Sequence, residues 1–212
     1  MSTAVCFDLD GTVVEFTDPY DAILDGTFDT ALGHTEPELI ETYNQAFYDA
    51  FQAFDPDPYL TGARAVCDRA DADTSPDALV TTLREREFAA TTVSDDTRSL
   101  LDALGGRHRL AVVTNGVSEW QRAKLRHHGL YDRFDAVVCS YEVGAHKPDS
   151  APFEAVKTRL DAGSYVMIGD DYEADIEGAR NAGFVPIHLV SDAPAPRVPN
   201  SGSLETLLAA FR

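Results

Sequence analysis

Lysine is scarce in this sequence. Lys124, Lys147 and Lys157 are the only three in 212 residues, and 17 lysines and arginines face 36 aspartates and glutamates. The formal net charge is -19. Nucleic acid is a poor partner for such a chain, because a phosphate backbone needs a positive footprint. The acidic excess is spread along the chain and not confined to a tail. It predicts a halophilic protein, adapted to high salt, where screening relieves self-repulsion. Long hydrophobic runs are missing too. No apolar stretch approaches the ~18 residues that span a bilayer. The opening Met1-Ser2-Thr3-Ala4-Val5 lacks the basic and apolar segments of a signal peptide. A soluble, cytoplasmic protein with no membrane partner is expected. Cysteine is also rare: Cys6, Cys67 and Cys139 are odd in number and scattered. That argues against a disulfide scaffold and against a zinc site. Cys6 and Cys139 fall in apolar runs, where a free thiol acts as a small hydrophobe.

Hydrophobic residues make up 44% of the chain, enough for a sizeable core. The length suits one α/β domain with a smaller insertion. Residues 4–7 form a short apolar strand ending at Asp8. Residues 21–91 read as helices separated by turn signals, with no strand evident. One helix is predicted over 37–54, and another opens at Ser75-Pro76, a natural cap followed by proline at the first helical position. From residue 94 onward helices and strands alternate. Strands are predicted over 110–114, 136–139, 165–168 and 185–189; Pro186 in the last suggests a sheet edge or a strand start. Helices are predicted over 94–104, 118–128, 152–160, 175–182 and 203–211. The alternation implies a doubly wound parallel sheet, a Rossmann-like α/β core with helices on both faces. The core is expected to comprise 1–16 and 92–212, with residues 17–91 as the inserted helical domain.

Ligands of open parallel sheets bind beyond the carboxyl ends of the strands. The polar residues expected there are Asp8 and Asp10, Thr114 and Asn115, Ser140, and Asp170 and Asp171. Asp175 follows closely. Carboxylates gathered at one rim repel each other, and a bound cation relieves that repulsion. All-oxygen ligands favour Mg²⁺ over Zn²⁺. Lys147 would offset the charge of a nucleophile and a phosphate. Thr114-Asn115-Gly116 ends a strand and opens a helix, so its hydroxyl and N–H groups suit an anion. Together these groups describe phosphoryl transfer.

Four motifs stand in order: Asp8-Leu9-Asp10-Gly11-Thr12, Thr114-Asn115-Gly116, Lys147-Pro148, and Gly169-Asp170-Asp171-Tyr172-Glu173-Ala174-Asp175. With them the sequence resembles the haloacid dehalogenase (HAD) superfamily, in particular its phosphatase-like members with a helical cap. The resemblance covers nearly the whole chain. It implies that Asp8 is the nucleophile and that Asp10 is a general acid and then a base. It implies Mg²⁺ held by the side chains of Asp8 and Asp170 and the main-chain carbonyl of Asp10. Thr114 and the N–H of Asn115 would bind the phosphoryl group, and Lys147 would bridge Asp8 and phosphate. Asp171 and Asp175 are both candidates for the outer metal shell. Thr12 is expected to hydrogen-bond within its own loop, and Trp120 and Gln121 to pack their helix, although Gln121 also resembles a residue of some nucleotidase-like relatives.

The expected activity is hydrolysis of a small phosphorylated metabolite. A phosphomutase is the alternative, since the motifs do not exclude it. A 2-haloacid dehalogenase is disfavoured, because halide departs without an acid and that branch lacks the second aspartate. A non-catalytic binding protein is disfavoured by the intact set of Asp8, Asp10, Lys147 and Asp170. The oligomeric state, monomer or small homo-oligomer, is not legible.

Overall fold

The computed structural model describes residues 3–189; the helix expected over 203–211 lies outside them. The chain divides into two compact units. One holds the described residues up to Glu15 and from Thr92 onward, and the other is Phe16–Thr91.

In the first unit, β1 (Thr3–Phe7) is buried along its whole length. That is the mark of a parallel strand covered on both faces, and it explains why the run reads as unbroken apolar sequence. Two-residue strands, β2 (Glu15–Phe16) and β3 (Thr91–Thr92), pair with each other where the chain passes from one unit to the other. The sequence showed no strand in this region, because two residues carry no periodicity.

The second unit is helical: α1 (Tyr20–Leu32), α2 (Pro37–Gln52), α3 (Pro58–Ala70) and α4 (Pro76–Ala89). Proline occupies the first turn of α2, α3 and α4, where its missing N–H costs nothing. Asp57 and Ser75 accept hydrogen bonds from Leu60 N and Ala78 N, capping α3 and α4. Leu24, Phe28, Tyr43, Leu79 and Leu83 are fully buried between the helices.

The rest of the first unit is α5 (Asp95–Gly105), β4 (Arg109–Thr114), α6 (Ser118–His127), β5 (Ala136–Cys139), α7 (Ser140–Val143), α8 (Ala151–Arg159) and β6 (Ser164–Gly169). A π-helical turn (Tyr172–Glu177), α9 (Gly178–Asn181) and β7 (Val185–His188) follow. The sheet order is β5-β4-β1-β6-β7, parallel throughout. Among the described residues Pro186 accordingly sits in an edge strand, where a missing donor is tolerated. Alternate residues serve opposite faces. Val5, Phe7, Val112 and Ile168 pack with Leu100, Leu101 and Leu125 from α5 and α6. Ala4, Cys6, Val113 and Met167 pack with Phe153 and Val156 from α8. The three cysteines are free and buried.

One expected element differs. In place of a single helix over 175–182, the chain makes the π-helical turn from Tyr172 and only then the short α9. Asp171 caps that turn by accepting from Ala174 N, and Asp175 points inward, fully buried. The helical structure therefore starts at Tyr172, three residues before the expected Asp175.

Candidate active site

The chain runs outward from β1 to β4 on one side and to β6 on the other, so β1 lies where the winding reverses. Phe7 is the last residue of β1 and pairs with Val112 and Ile168. Asp8 is one step further on, and its N–H donates to Ile168 O at 2.9 Å. A tight turn follows, in which the Leu9 carbonyl accepts from Val13 N at 3.0 Å and Val14 N at 2.9 Å. Gly11 supplies the positive φ, +84°, that the turn requires.

Lys147 reaches Asp8 from the segment after α7. Its backbone is clamped by the Asn115 side chain, which donates to Lys147 O at 3.0 Å and accepts from Lys147 N at 2.8 Å. The ammonium donates to Asp8 Oδ1 at 2.6 Å, Asp175 Oδ1 at 2.5 Å and Val113 O at 2.8 Å. All three N–H donors are thus used, as a lysine only 4% exposed requires. Burial would pull this ammonium's pKa down, but the carboxylates of Asp8 and Asp175 overcome that and hold it above the usual lysine value. Burial pushes the Asp8 carboxyl up to about 7; Lys147 draws it down, and Asp175 and Asp10 push it up again. Lys147 is one ammonium shared by two carboxylates, Asp8 and Asp175, which leaves negative charge in excess around it.

Asp170 follows β6. Its carboxylate accepts from Thr12 Oγ1 at 2.9 Å, so the Thr12 side chain bonds across the rim while its N–H donates within its own loop to Leu9 O at 3.3 Å. Burial raises the Asp170 carboxyl, and nearby Asp175 adds to the rise. One oxygen each from Asp8, Asp170 and Asp175 lies within 4.8 Å of the others. This all-oxygen cluster suits a hard divalent cation. Of the two outer candidates, Asp175 belongs to the cluster. Asp171 caps a helical turn, and its N–H donates to Asp175 Oδ2 at 3.1 Å.

Two site residues escaped the sequence reading. Gln121 was expected to pack its helix, yet its Nε2 donates to Asp10 Oδ2 at 2.8 Å and to Thr114 Oγ1 at 3.2 Å. Lys124 Nζ donates to Asp10 Oδ1 at 2.6 Å. The available signal was a polar pair three apart on a helix that opens directly after Thr114-Asn115-Gly116. Ser140 contributes differently: its Oγ accepts from Gly116 N at 3.0 Å and lies 2.9 Å from His146 Nδ1, bracing the second motif.

Asp8, Asp10, Thr114, Asn115, Lys147, Asp170, Asp171 and Asp175 line one cavity of about 210 Å³. The helical unit has a larger cavity of about 700 Å³ between α1 and α2, lined by Tyr20, Phe47 and Tyr48 with Asp21 and Glu41. No lysine, arginine or histidine lines it, so it offers an anion no cationic partner. The groups suited to phosphoryl chemistry belong to the smaller cavity.

A doubly wound parallel sheet with paired aspartates at its central strand and a lysine among carboxylates defines a class of hydrolase. The model of the haloacid dehalogenase-like hydrolases matches residues 3–183, and the chain belongs to that family. Over 94 residues it is 40% identical to the pyrimidine 5'-nucleotidase YjjG of Escherichia coli, covering 43% of this chain and 42% of that protein. Over 98 residues it is 38% identical to the glyceraldehyde 3-phosphate phosphatase of Methanothermobacter thermautotrophicus, covering 45% and 43%. The chain therefore spans less than half the length of these two relatives. A 2-haloacid dehalogenase from Pseudomonas syringae superimposes over 100% of both chains with a TM-score of 0.69 at 27% identity.

Proposed function

We propose that this chain is a Mg²⁺-dependent phosphatase that hydrolyses a small phosphomonoester through an aspartyl-phosphate on Asp8. The observation that carries this reading is Asp10: both of its carboxylate oxygens are held by donors, at the rim of the cavity that holds Asp8. Displacing halide from carbon calls for no such acid, and expelling an alkoxide from phosphorus does. The two curated relatives are named as a nucleotidase and a phosphatase, and both act on phosphate esters by name. The dehalogenase likeness concerns a protein of the same fold, and Asp10 argues against carrying its activity over.

In this reading Asp8 attacks phosphorus as the ester P–O bond breaks, and Asp10 gives its proton to the departing alkoxide. Water then attacks the phosphorus of the Asp8 phosphoester. Asp10 takes a proton from that water, and inorganic phosphate leaves with Asp8 restored. Thr114 and Asn115 N–H hold the phosphoryl oxygens, and Lys147 keeps Asp8 oriented while offsetting charge. Asp8, Asp170 and the Asp10 carbonyl would hold Mg²⁺, with Asp175 behind them. The all-oxygen donor set fits that ion, which when bound neutralises charge on the transferring group. The helical unit takes the part of a cap that selects the leaving group.

Mg²⁺ with p-nitrophenyl phosphate in high salt tests the reading, beside an Asp8→Asn variant. Turnover by the parent that is lost in Asp8→Asn and in chelator is expected. A parent inactive on this ester and on a panel of sugar phosphates and nucleoside monophosphates overturns it.

A further inference from the structure

Two of the three lysines in this acidic chain are buried, and each grips one aspartate of the same motif. Lys147 holds Asp8, and Lys124, 2% exposed, holds Asp10. A buried ammonium is tolerated only with charge partners and hydrogen-bond acceptors around it. Packing alone at this place on α6 would be served by leucine or methionine. Gln121 stands one turn earlier on the same face, also buried. Its Nε2 is directed at Asp10 and Thr114, while its Oε1 is buried without a hydrogen-bond donor. Turning the amide over would press Oε1 against the Asp10 carboxylate. The amide is thus oriented for Asp10 at the expense of its own carbonyl.

We propose that Lys124 and Gln121 are positioning residues for Asp10. One donor on each carboxylate oxygen fixes the plane of the group. The Gln121 amide also ties Asp10 to Thr114, so the proton-transferring carboxylate and the phosphoryl-holding hydroxyl share an anchor on α6. The proposal rests on the phosphatase reading, in which those two groups act on the same ester. General acid catalysis contributes about 10²–10⁴-fold, and misplacement by 1 Å can cost about 10²-fold. Loosening the anchor therefore weakens proton delivery to the leaving oxygen and leaves the attack by Asp8 largely intact.

The test is kcat/KM with Mg²⁺ for p-nitrophenyl, phenyl and methyl phosphate, using the full chain and the variants Lys124→Met, Lys124→Arg and Gln121→Leu. Values of kcat/KM report steps up to Asp8 phosphorylation and so isolate the acid step. For Lys124→Met the loss is expected to be under about 10-fold on p-nitrophenyl phosphate and on the order of 100-fold on methyl phosphate. Lys124→Arg should recover part of the methyl phosphate rate, since it keeps the charge. If Lys124→Met does not fold, Gln121→Leu, close in volume, carries the same comparison. Equal losses on all three esters in the variants that fold would mean a merely structural role and overturn the proposal. A parent inactive on every ester would instead overturn the phosphatase reading, and the proposal with it.

Discussion

Lys147 Nζ lies 2.5 Å from Asp175 Oδ1, with both residues buried. Asp175 thereby becomes the second carboxylate of a three-membered ion cluster with Lys147 and Asp8. It also receives Asp171 N, so it ties the loop after β6 to the lysine. Asp171 has a local task at the start of the π-helical turn.

The two neighbouring acids should therefore behave differently. Asp171→Ala removes a cap and should cost about 1 kcal/mol, with activity largely retained. Asp175→Ala leaves Lys147 short of a partner; breaking a buried pair should cost about 3–5 kcal/mol and lower turnover sharply. Denaturant unfolding and p-nitrophenyl phosphate kinetics on both variants check this. Matching effects would show that the Lys147 contact does not set Asp175 apart.

The Asp8 carboxyl gives a pH signature. Burial raises it from an ordinary value near 3.8 to about 7. The folded chain then holds a proton that the unfolded chain has lost between those values. The stability this contributes is fully present below 3.8 and is lost as pH rises through about 7. In the proposed site Mg²⁺ would bind the ionised acid, so it would compete with that proton. The rise in melting temperature caused by Mg²⁺ should grow from pH 5 to pH 8, and Asp8→Asn should abolish the trend. A shift independent of pH in the parent would place the ion away from Asp8.

Gly11 and Gly33 make a controlled pair. Both have positive φ, +84° and +80°. A Cβ on Gly33 meets nothing within 4 Å, whereas one on Gly11 would lie 2.4 Å from Asp170 Oδ2. Gly33→Ala should cost only the conformational strain, about 1–3 kcal/mol, and keep full specific activity. Gly11→Ala should add displacement of Asp170, with loss of both turnover and the Mg²⁺-induced melting shift. Normal activity in Gly11→Ala would mean that Asp170 has another position open to it.

The sheet was legible because its strands are short apolar runs, each ending in a polar residue that the fold brings to one rim. Ser75 showed a helix start by cap chemistry, and its side chain accepts the capping bond. The site residues named from the four motifs come together around one cavity. What escaped was contact across the sequence. Lys124 and Gln121 are more than a hundred residues from Asp10, and nothing local distinguishes a buried glutamine that packs from one that holds a carboxylate. The Thr12 side chain escaped likewise: its N–H stays within the loop, but the partner of its hydroxyl, Asp170, is 158 residues away. The choice between Asp171 and Asp175 depended on which carboxylate turns inward, which the π-helical turn decides.

Salt should stabilise this protein. A net charge of -19, spread along the chain, repels itself in dilute buffer. The screening length is about 10 Å at 0.1 M salt and about 3 Å at 1 M, so molar KCl removes most repulsion between exposed acids. The ion pairs of Lys124 and Lys147 are buried and should be screened far less. Stability should accordingly rise steeply between dilute buffer and molar KCl, with turnover following the folded fraction. Sucrose at matched osmolarity strengthens burial without screening charge, so it should give the smaller gain. Melting temperatures across both series check this. A flat KCl series would show that the acidic surface imposes no repulsion in need of relief.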